Sequence, residues 1–251
     1  MKRRLINAVC ILLLLSSAVF LLMPHVSREI TKKDMDDKIS RFETAVSNTE
    51  TLPDEDDETA SDSQNSPSGA VYAEEGVTMP INVNKLYEDS KAYNKALADH
   101  QDMGKGFTDS VLYLPDYGIY DGMYGYISCS AIGLYLPIYL GATDENMSYG
   151  TAHMSNTSLP TGGENTHCVL VGHTGYFGRT FFDNIRNLEK GDALTIKTYF
   201  NTLTYEVVAY KEIGPTDTND LFIQKEKDML TLVTCSQWGT RRYMVQCERI
   251  I

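Results

Sequence analysis

Cysteines in paired knuckle spacing, a stripe of basic residues and a second long apolar run are all missing from this 251-residue sequence. The five cysteines, at 10, 129, 168, 235 and 247, are too few and too scattered for a disulfide scaffold or a CxxC zinc knuckle. Phosphate recognition needs clustered Lys and Arg, and no such stripe occurs past residue 4 of a chain whose formal charge is −12, so no nucleic-acid partner is expected. No internal repeat is visible. The length suffices for one core of ordinary size or two small ones.

Lys and Arg are also absent from the whole of residues 42–84, where ten Asp and Glu residues fall. The rest of the chain is therefore close to neutral. Residues 51–76 are in addition rich in Ser, Thr, Pro and Gly and have no hydrophobic period, the composition of a chain that cannot bury enough surface to order itself. It reads as a solvated spacer, with a docking tail for a basic partner as the alternative.

The one long apolar run is at the start. Lys2, Arg3 and Arg4 precede Leu5–Met23, 19 residues without a charge. As a helix this run spans roughly 28 Å, the thickness of a bilayer's hydrocarbon core. It ends in Phe20-Leu-Leu-Met-Pro24 rather than at small residues of an Ala-x-Ala type, which favours an uncleaved anchor over a signal peptide. The basic flank predicts a cytoplasmic N-terminus and an exported remainder, a single-pass protein of the cell membrane. The expected organisation is a basic stub and transmembrane anchor over 1–24, a largely disordered acidic linker over 25–82, a helical segment over 83–110, and a folded domain over 111–251.

Order is expected to resume near Val83, where Leu86, Tyr93 and Leu97 fall at helical spacing and Gly104 offers a stop. Beyond it come short apolar or alternating runs at Met123–Ser128, Ile132–Leu140, Cys168–His173, Ala193–Phe200, Leu203–Tyr210, Met229–Cys235 and Arg242–Glu248. One helical stretch, Thr180–Leu188, interrupts them with Phe181, Phe182, Ile185 and Leu188 on one face. Many short strands with few helices predict a mainly β fold, a closed or nearly closed barrel.

The most informative strand is Met229-Leu-Thr-Leu-Val-Thr-Cys235. Alternation puts Thr231, Val233 and Cys235 on one face and Leu230, Leu232 and Thr234 on the other. Six residues then lead to Arg242. If the two strands form a hairpin about that loop, Cys235 and Arg242 sit opposite one another. A cation beside a thiol favours the nucleophilic thiolate. His173, at the end of the run from Cys168, could handle the proton and shares its face with Val169 and Val171. Cys129, Cys168 and Cys247 read as small core residues, and Cys10 lies in the apolar span.

A zinc site would have to draw on His153, His167, His173 and Cys235. Only His167 and His173 are near in sequence, and six residues along a strand put them roughly 20 Å apart, too far to share an ion. No metal is expected.

These residues resemble the sortase family, membrane-anchored cysteine transpeptidases of mainly Gram-positive bacteria. Thr231-Leu-Val-Thr-Cys235 is similar to the family's TLxTC signature, Arg242 occupies the place of its arginine, and Val171-Gly-His173-Thr-Gly matches its histidine. The resemblance covers about residues 120–250. Leu159-Pro-Thr-Gly-Gly-Glu-Asn-Thr-His167 and Leu136-Pro-Ile-Tyr-Leu-Gly141 look most like the pilin-polymerising subgroup, class C. That subgroup usually carries an Asp-Pro-aromatic lid motif, whereas here the order is Pro115-Asp116-Tyr117. Leu159-Pro-Thr-Gly-Gly resembles a sorting signal but lacks the residue between Pro and Thr, so self-cleavage is not expected.

The resemblance implies a closed eight-stranded β-barrel on the extracellular face, working without cofactor or metal. Its partners would be exported proteins with LPxTG-like C-terminal signals and an amine acceptor, a pilin lysine or a peptidoglycan cross-bridge. Cys235 would form a thioester at the Thr carbonyl, His173 would move the proton and Arg242 would hold the substrate. Thr234 and Trp238 are candidate substrate contacts. A class B-like or housekeeping wall-anchoring enzyme, a cysteine hydrolase and a non-catalytic binding module remain the alternatives.

Overall fold

The computed structural model of the chain describes residues 2–50, 80–104, 106–176 and 178–250. Eight strands form its centre: β1 (Met123–Cys129), β2 (Leu134–Leu140), β3 (Thr151–His153), β4 (Thr166–Val171), β5 (Ala193–Thr198), β6 (Thr202–Ile213), β7 (Asp228–Ser236) and β8 (Arg241–Arg249). They close into a barrel in the order β1-β2-β3-β4-β7-β8-β6-β5, with β5 returning to β1. The β2–β3 and β4–β7 pairs are parallel and the others antiparallel. Closure satisfies every strand edge without a partner sheet.

Alternation within the strands fills the barrel. Ile127, Ile138, Leu170, Ile196, Leu232 and Val245 point inward and are fully buried. The opposite faces of β4, β7 and β8 are covered too, by a smaller cluster of Val169, Val233 and Met244 with Ile213, Leu221 and Met103. That second cover gives the site its floor. Seven strands match the apolar runs read from the sequence. The eighth, β3, is only three residues long and escapes any period-of-two reading.

The run 180–188, expected to be helical, is a series of turns with one short 3-10 turn at Ile185–Asn187. Phe181, Phe182, Ile185 and Leu188 are all buried, as the apolar spacing implies. Two bonds to Asp183 Oδ1 and Oδ2, from the Gly175 and Phe181 amides, divert the backbone from a helix.

Helix α2 (Val83–Asp99) starts at Asn82, whose side chain accepts from the Lys85 amide, and stops before the expected residue 110. Its buried face includes the polar Ser90 and Asn94. Ser90 Oγ lies 2.9 Å from the hydroxyl of Tyr124, and Asn94 both donates to the Leu159 carbonyl and accepts from the Leu159 amide. Leu159-Pro-Thr-Gly-Gly is thereby pinned into the domain with Leu159 fully buried, so the signal-like segment is structural. Leu114–Tyr117 forms a 3-10 turn against the same helix, with the Tyr117 hydroxyl donating to Asp89. A short α3 (Asp144–Tyr149) is capped by Thr143.

The largest departure from the sequence reading is at the N-terminus. Helix α1 (Lys2–Glu50) runs through the apolar span and on through residues 25–50, which composition assigned to a disordered linker. It is, among the described residues, the one helix long and apolar enough to cross a membrane. Past Pro24 it lays Met35, Ile39, Phe42, Ala45 and Val46 against the domain, a narrow stripe at helical spacing. Phe42 packs on Tyr199 and Tyr126, and Glu43 holds both Lys197 and the Tyr126 hydroxyl at 2.5 Å. Dense charge on the other faces masked the stripe. The remainder of the acidic linker, 51–79, lies outside the described residues.

Candidate active site

Cys235 and Arg242 are directly opposed in the antiparallel β7–β8 ladder. Strand β4 runs parallel to β7 on its other side, from Thr166 beside Asp228 to Val171 beside Val233. The bonding continues one step past the strand, the Gly172 amide donating to the Val233 carbonyl, so His173 leaves the end of β4 at the same end of the sheet as Cys235, which lies two residues past Val233 on β7. Cys235 and Arg242 on two paired strands, with His173 just past the end of the third, thus form a row at one end of the sheet. All three are half-buried, neither locked in the core nor adrift in solvent.

Each member of the row is held from behind. Gly172 has no room for a side chain, since a Cβ there would come within 2.8 Å of the Phe182 ring. The Phe182 amide donates to the His173 carbonyl, and the His173 ring stacks on Tyr176 at 5.0 Å between centroids. Arg242 donates through Nη1 to the carbonyls of Gly239 and Arg241, which aims the guanidinium along the turn. Among the described residues no carboxylate bonds or pairs with His173 or Arg242. The row can therefore present a thiol, an imidazole and a guanidinium to a substrate carbonyl, the set needed for nucleophilic attack, proton transfer and oxyanion stabilisation.

The other described cysteines have no such setting. Cys129, Cys168 and Cys247 are buried, and burial pushes all three thiols up from their ordinary range. Only Cys235 of the four is accessible. The side chain of Cys10 is outside the described residues.

His153 and His167 serve the interior rather than a metal. His153 Nε2 lies 3.0 Å from the Thr157 carbonyl and is fully buried; His167 bridges the Phe222 carbonyl and the Thr231 hydroxyl. Burial lowers the pKa of both, that of His153 to about 4, so both are neutral imidazoles. No group of three or more His, Cys, Asp or Glu among the described residues is arranged to hold an ion.

Two expected substrate contacts are placed differently from each other. Thr234 is buried on the inner face, and its hydroxyl donates to the Gly172 carbonyl at 2.7 Å. It ties β7 to the residue preceding His173. Trp238 is fully exposed in the turn after Cys235, on backbone with φ of 59°.

Strand alternation could not reveal the groups that support the row. Tyr176 and Asp183 shape the loop carrying His173, and Glu212 on β6, 23 residues before Cys235, binds the turn after it; none of them belongs to a motif.

The chain belongs to the sortase family: residues 127–250 match the Sortase domain model. It is 30% identical over 131 residues to Sortase D of Bacillus subtilis strain 168, a match covering 50% of this chain and 63% of that protein's length, less than two-thirds of it. Among solved structures it is similar to sortase C1 of GBS Pilus Island 1, with 25% identity, a TM-score of 0.66 and coverage of 86% and 92% of the two chains. It is also similar to Clostridium perfringens sortase C with the C-terminal cell wall sorting motif, with 35% identity, a TM-score of 0.58 and coverage of 67% and 89%.

Proposed function

We propose that the protein is a membrane-anchored extracellular cysteine transpeptidase acting on LPxTG-like sorting signals. The observation that carries this is the cross-strand pair Cys235–Arg242 with His173 just past the end of the neighbouring strand, Cys235 being the accessible thiol of the four described. The Cys235 thiolate attacks the Thr carbonyl carbon of the signal, forming a C–S bond. The Thr–Gly C–N bond breaks as His173, as imidazolium, protonates the departing amine. An incoming amine then attacks the thioester, His173 takes its proton, and the C–S bond breaks to return the thiolate. Arg242 holds the substrate backbone and the developing oxyanion, which suits a fork of fixed donors.

The similarity to pilus-related sortase C structures supports a pilin lysine as the acceptor amine, and the apolar first half of α1 supports anchoring through residues 5–23 with the barrel outside. Acyl transfer between peptides needs no ATP, in keeping with that location.

The test is to incubate the protein with an LPxTG-type peptide and an amine and to weigh the products. Transfer product is expected, together with a thioester-linked adduct that Cys235→Ala abolishes. Turnover retained by Cys235→Ala overturns the assignment; a product unchanged by added amine makes the protein a hydrolase. A preference for cross-bridge peptides over pilin lysine substrates would move it to wall anchoring.

A further inference from the structure

Behind the row, on the opposite side of the sheet, one carboxylate gathers the whole turn between Cys235 and Arg242. Glu212 lies near the end of β6, paired with Tyr243 of β8. Its Oε1 accepts from the Ser236 hydroxyl at 2.5 Å and from Arg186 Nη2 at 2.9 Å; its Oε2 accepts from Gln237 Nε2 at 2.8 Å. The Glu212 carbonyl accepts from Arg241 Nη2 at 3.1 Å. Ser236 and Gln237 directly follow Cys235, and Arg241 directly precedes Arg242. Hydrogen bonds from Ser236 and Arg186 hold the Glu212 carboxyl below the usual carboxylate range.

We infer that Glu212 is a positioning residue: it fixes the Cys235 thiol relative to the Arg242 guanidinium by clamping the turn that joins them. The turn needs a clamp. Gln237 and Trp238 both have left-handed backbone, with φ of 47° and 59°, a conformation disfavoured for residues with a Cβ and kept only where surrounding bonds enforce it. Trp238 supplies none of those bonds from its exposed ring. Gln237 is anchored to Glu212, and the Thr240 hydroxyl closes the turn on the Gln237 carbonyl.

The clamp also reaches the histidine side. Arg186 lies in the 3-10 turn that follows Phe182, the residue bonded to the His173 carbonyl. Its guanidinium donates to Ser236 Oγ at 2.5 Å as well as to Glu212, and it sits 4.2 Å from the Tyr243 ring centroid. Glu212 and Arg186 together connect β6, β7, β8 and the segment beyond His173. A shift of about 1 Å between reacting groups suffices to lower a rate a hundredfold, so such a connection bears on the chemical step.

The inference rests on the transpeptidase reading above, and the experiment separates the two. In the peptide-and-amine assay with the full chain, Glu212→Ala is expected to lower kcat by about tenfold or more with KM within about threefold. Glu212→Gln, which keeps an amide oxygen for Ser236 and Arg186, is expected to recover most of the loss; Glu212→Asp, one methylene short, is not. Ser236→Ala, which removes a hydroxyl and leaves the ion pair, is expected to lower kcat in the same direction and non-additively with Glu212→Ala. If Cys235→Ala is inactive while Glu212→Ala stays within twofold of the parent, the positioning role is overturned and the transpeptidase reading stands. A loss with Glu212→Ala that Glu212→Gln shares in full, alongside an equal drop in unfolding temperature, also overturns it. Activity retained by Cys235→Ala overturns both.

Discussion

Cys235 faces Arg242 across the β7–β8 ladder, one residue before the strands part into their connecting turn. The pairing sets Arg242 on the same face of the sheet as the single accessible thiol of the four described. Arg242→Lys keeps the charge and loses the planar fork of donors, two of whose bonds aim it along the turn. Transfer is expected to fall about a hundredfold, mostly in kcat, measured with peptide and amine at saturating concentrations. Alkylation followed by peptide mapping should label Cys235 well before Cys129, Cys168 or Cys247; equal labelling of all four would contradict the buried placement of the latter three.

The Gly172 position leaves no space between the end of β4 and the Phe182 ring. Gly172→Ala must push that ring or the His173 backbone aside, an overpacking cost of about 1–3 kcal/mol. Urea unfolding measures the cost. The accompanying loss of activity should exceed what reduced stability explains, because His173 follows directly.

His153 supplies a pH dependence of stability. Its folded pKa of about 4, lowered by burial, lies below the ordinary value of 6.5. Below pH 6.5 the unfolded chain takes up a proton that the folded chain refuses, so stability is whole above pH 6.5 and falls as pH drops toward 4. The difference corresponds to about 3 kcal/mol. His167, lowered by the same cause, adds in the same direction. Unfolding midpoints taken between pH 7 and 4.5 should show the slope, and His153→Gln should flatten it. A slope unaffected by that change would remove His153 as its source.

The second half of α1 behaves as part of the domain. Phe42 is 1% exposed and packs on two tyrosine rings, so Phe42→Ala is expected to cost about 3–5 kcal/mol in the full chain in detergent. No change in the unfolding midpoint would mean that the helix does not dock. Docking matters for reach: Met35 follows the apolar span by only 12 residues, about 18 Å of helix, so the barrel is held near that span rather than on a long free tether.

Much of the row is legible in the sequence. Period-two alternation puts Cys235 with Val233 and Thr231, and a hairpin about the six-residue loop pairs it with Arg242; the ladder has that register. His173 was legible as the polar end of an apolar run, although β4 itself stops at Val171. Less of the N-terminus could be read, because composition over 25–50 is dominated by charged residues that face solvent while the docking stripe contributes only one or two residues per turn. Leu114–Tyr117 shows the same limit in reverse: a segment noted for its likeness to a lid motif in reversed order is packed beneath α2.

The sequence by itself determined a mainly β domain behind an apolar helix, and which thiol, imidazole and guanidinium stand at strand ends, because strand periodicity and apolar length are properties of neighbouring residues. Only the tertiary structure decided that β4 lies beside β7, with His173 leaving its end near the Cys235 end of β7, that Thr234 turns inward, that α1 docks, and that Glu212 and Arg186 gather the turn. Those contacts join residues as many as 154 positions apart, between Glu43 and Lys197. Barrel closure brings them together, and no local period encodes a partner at that distance.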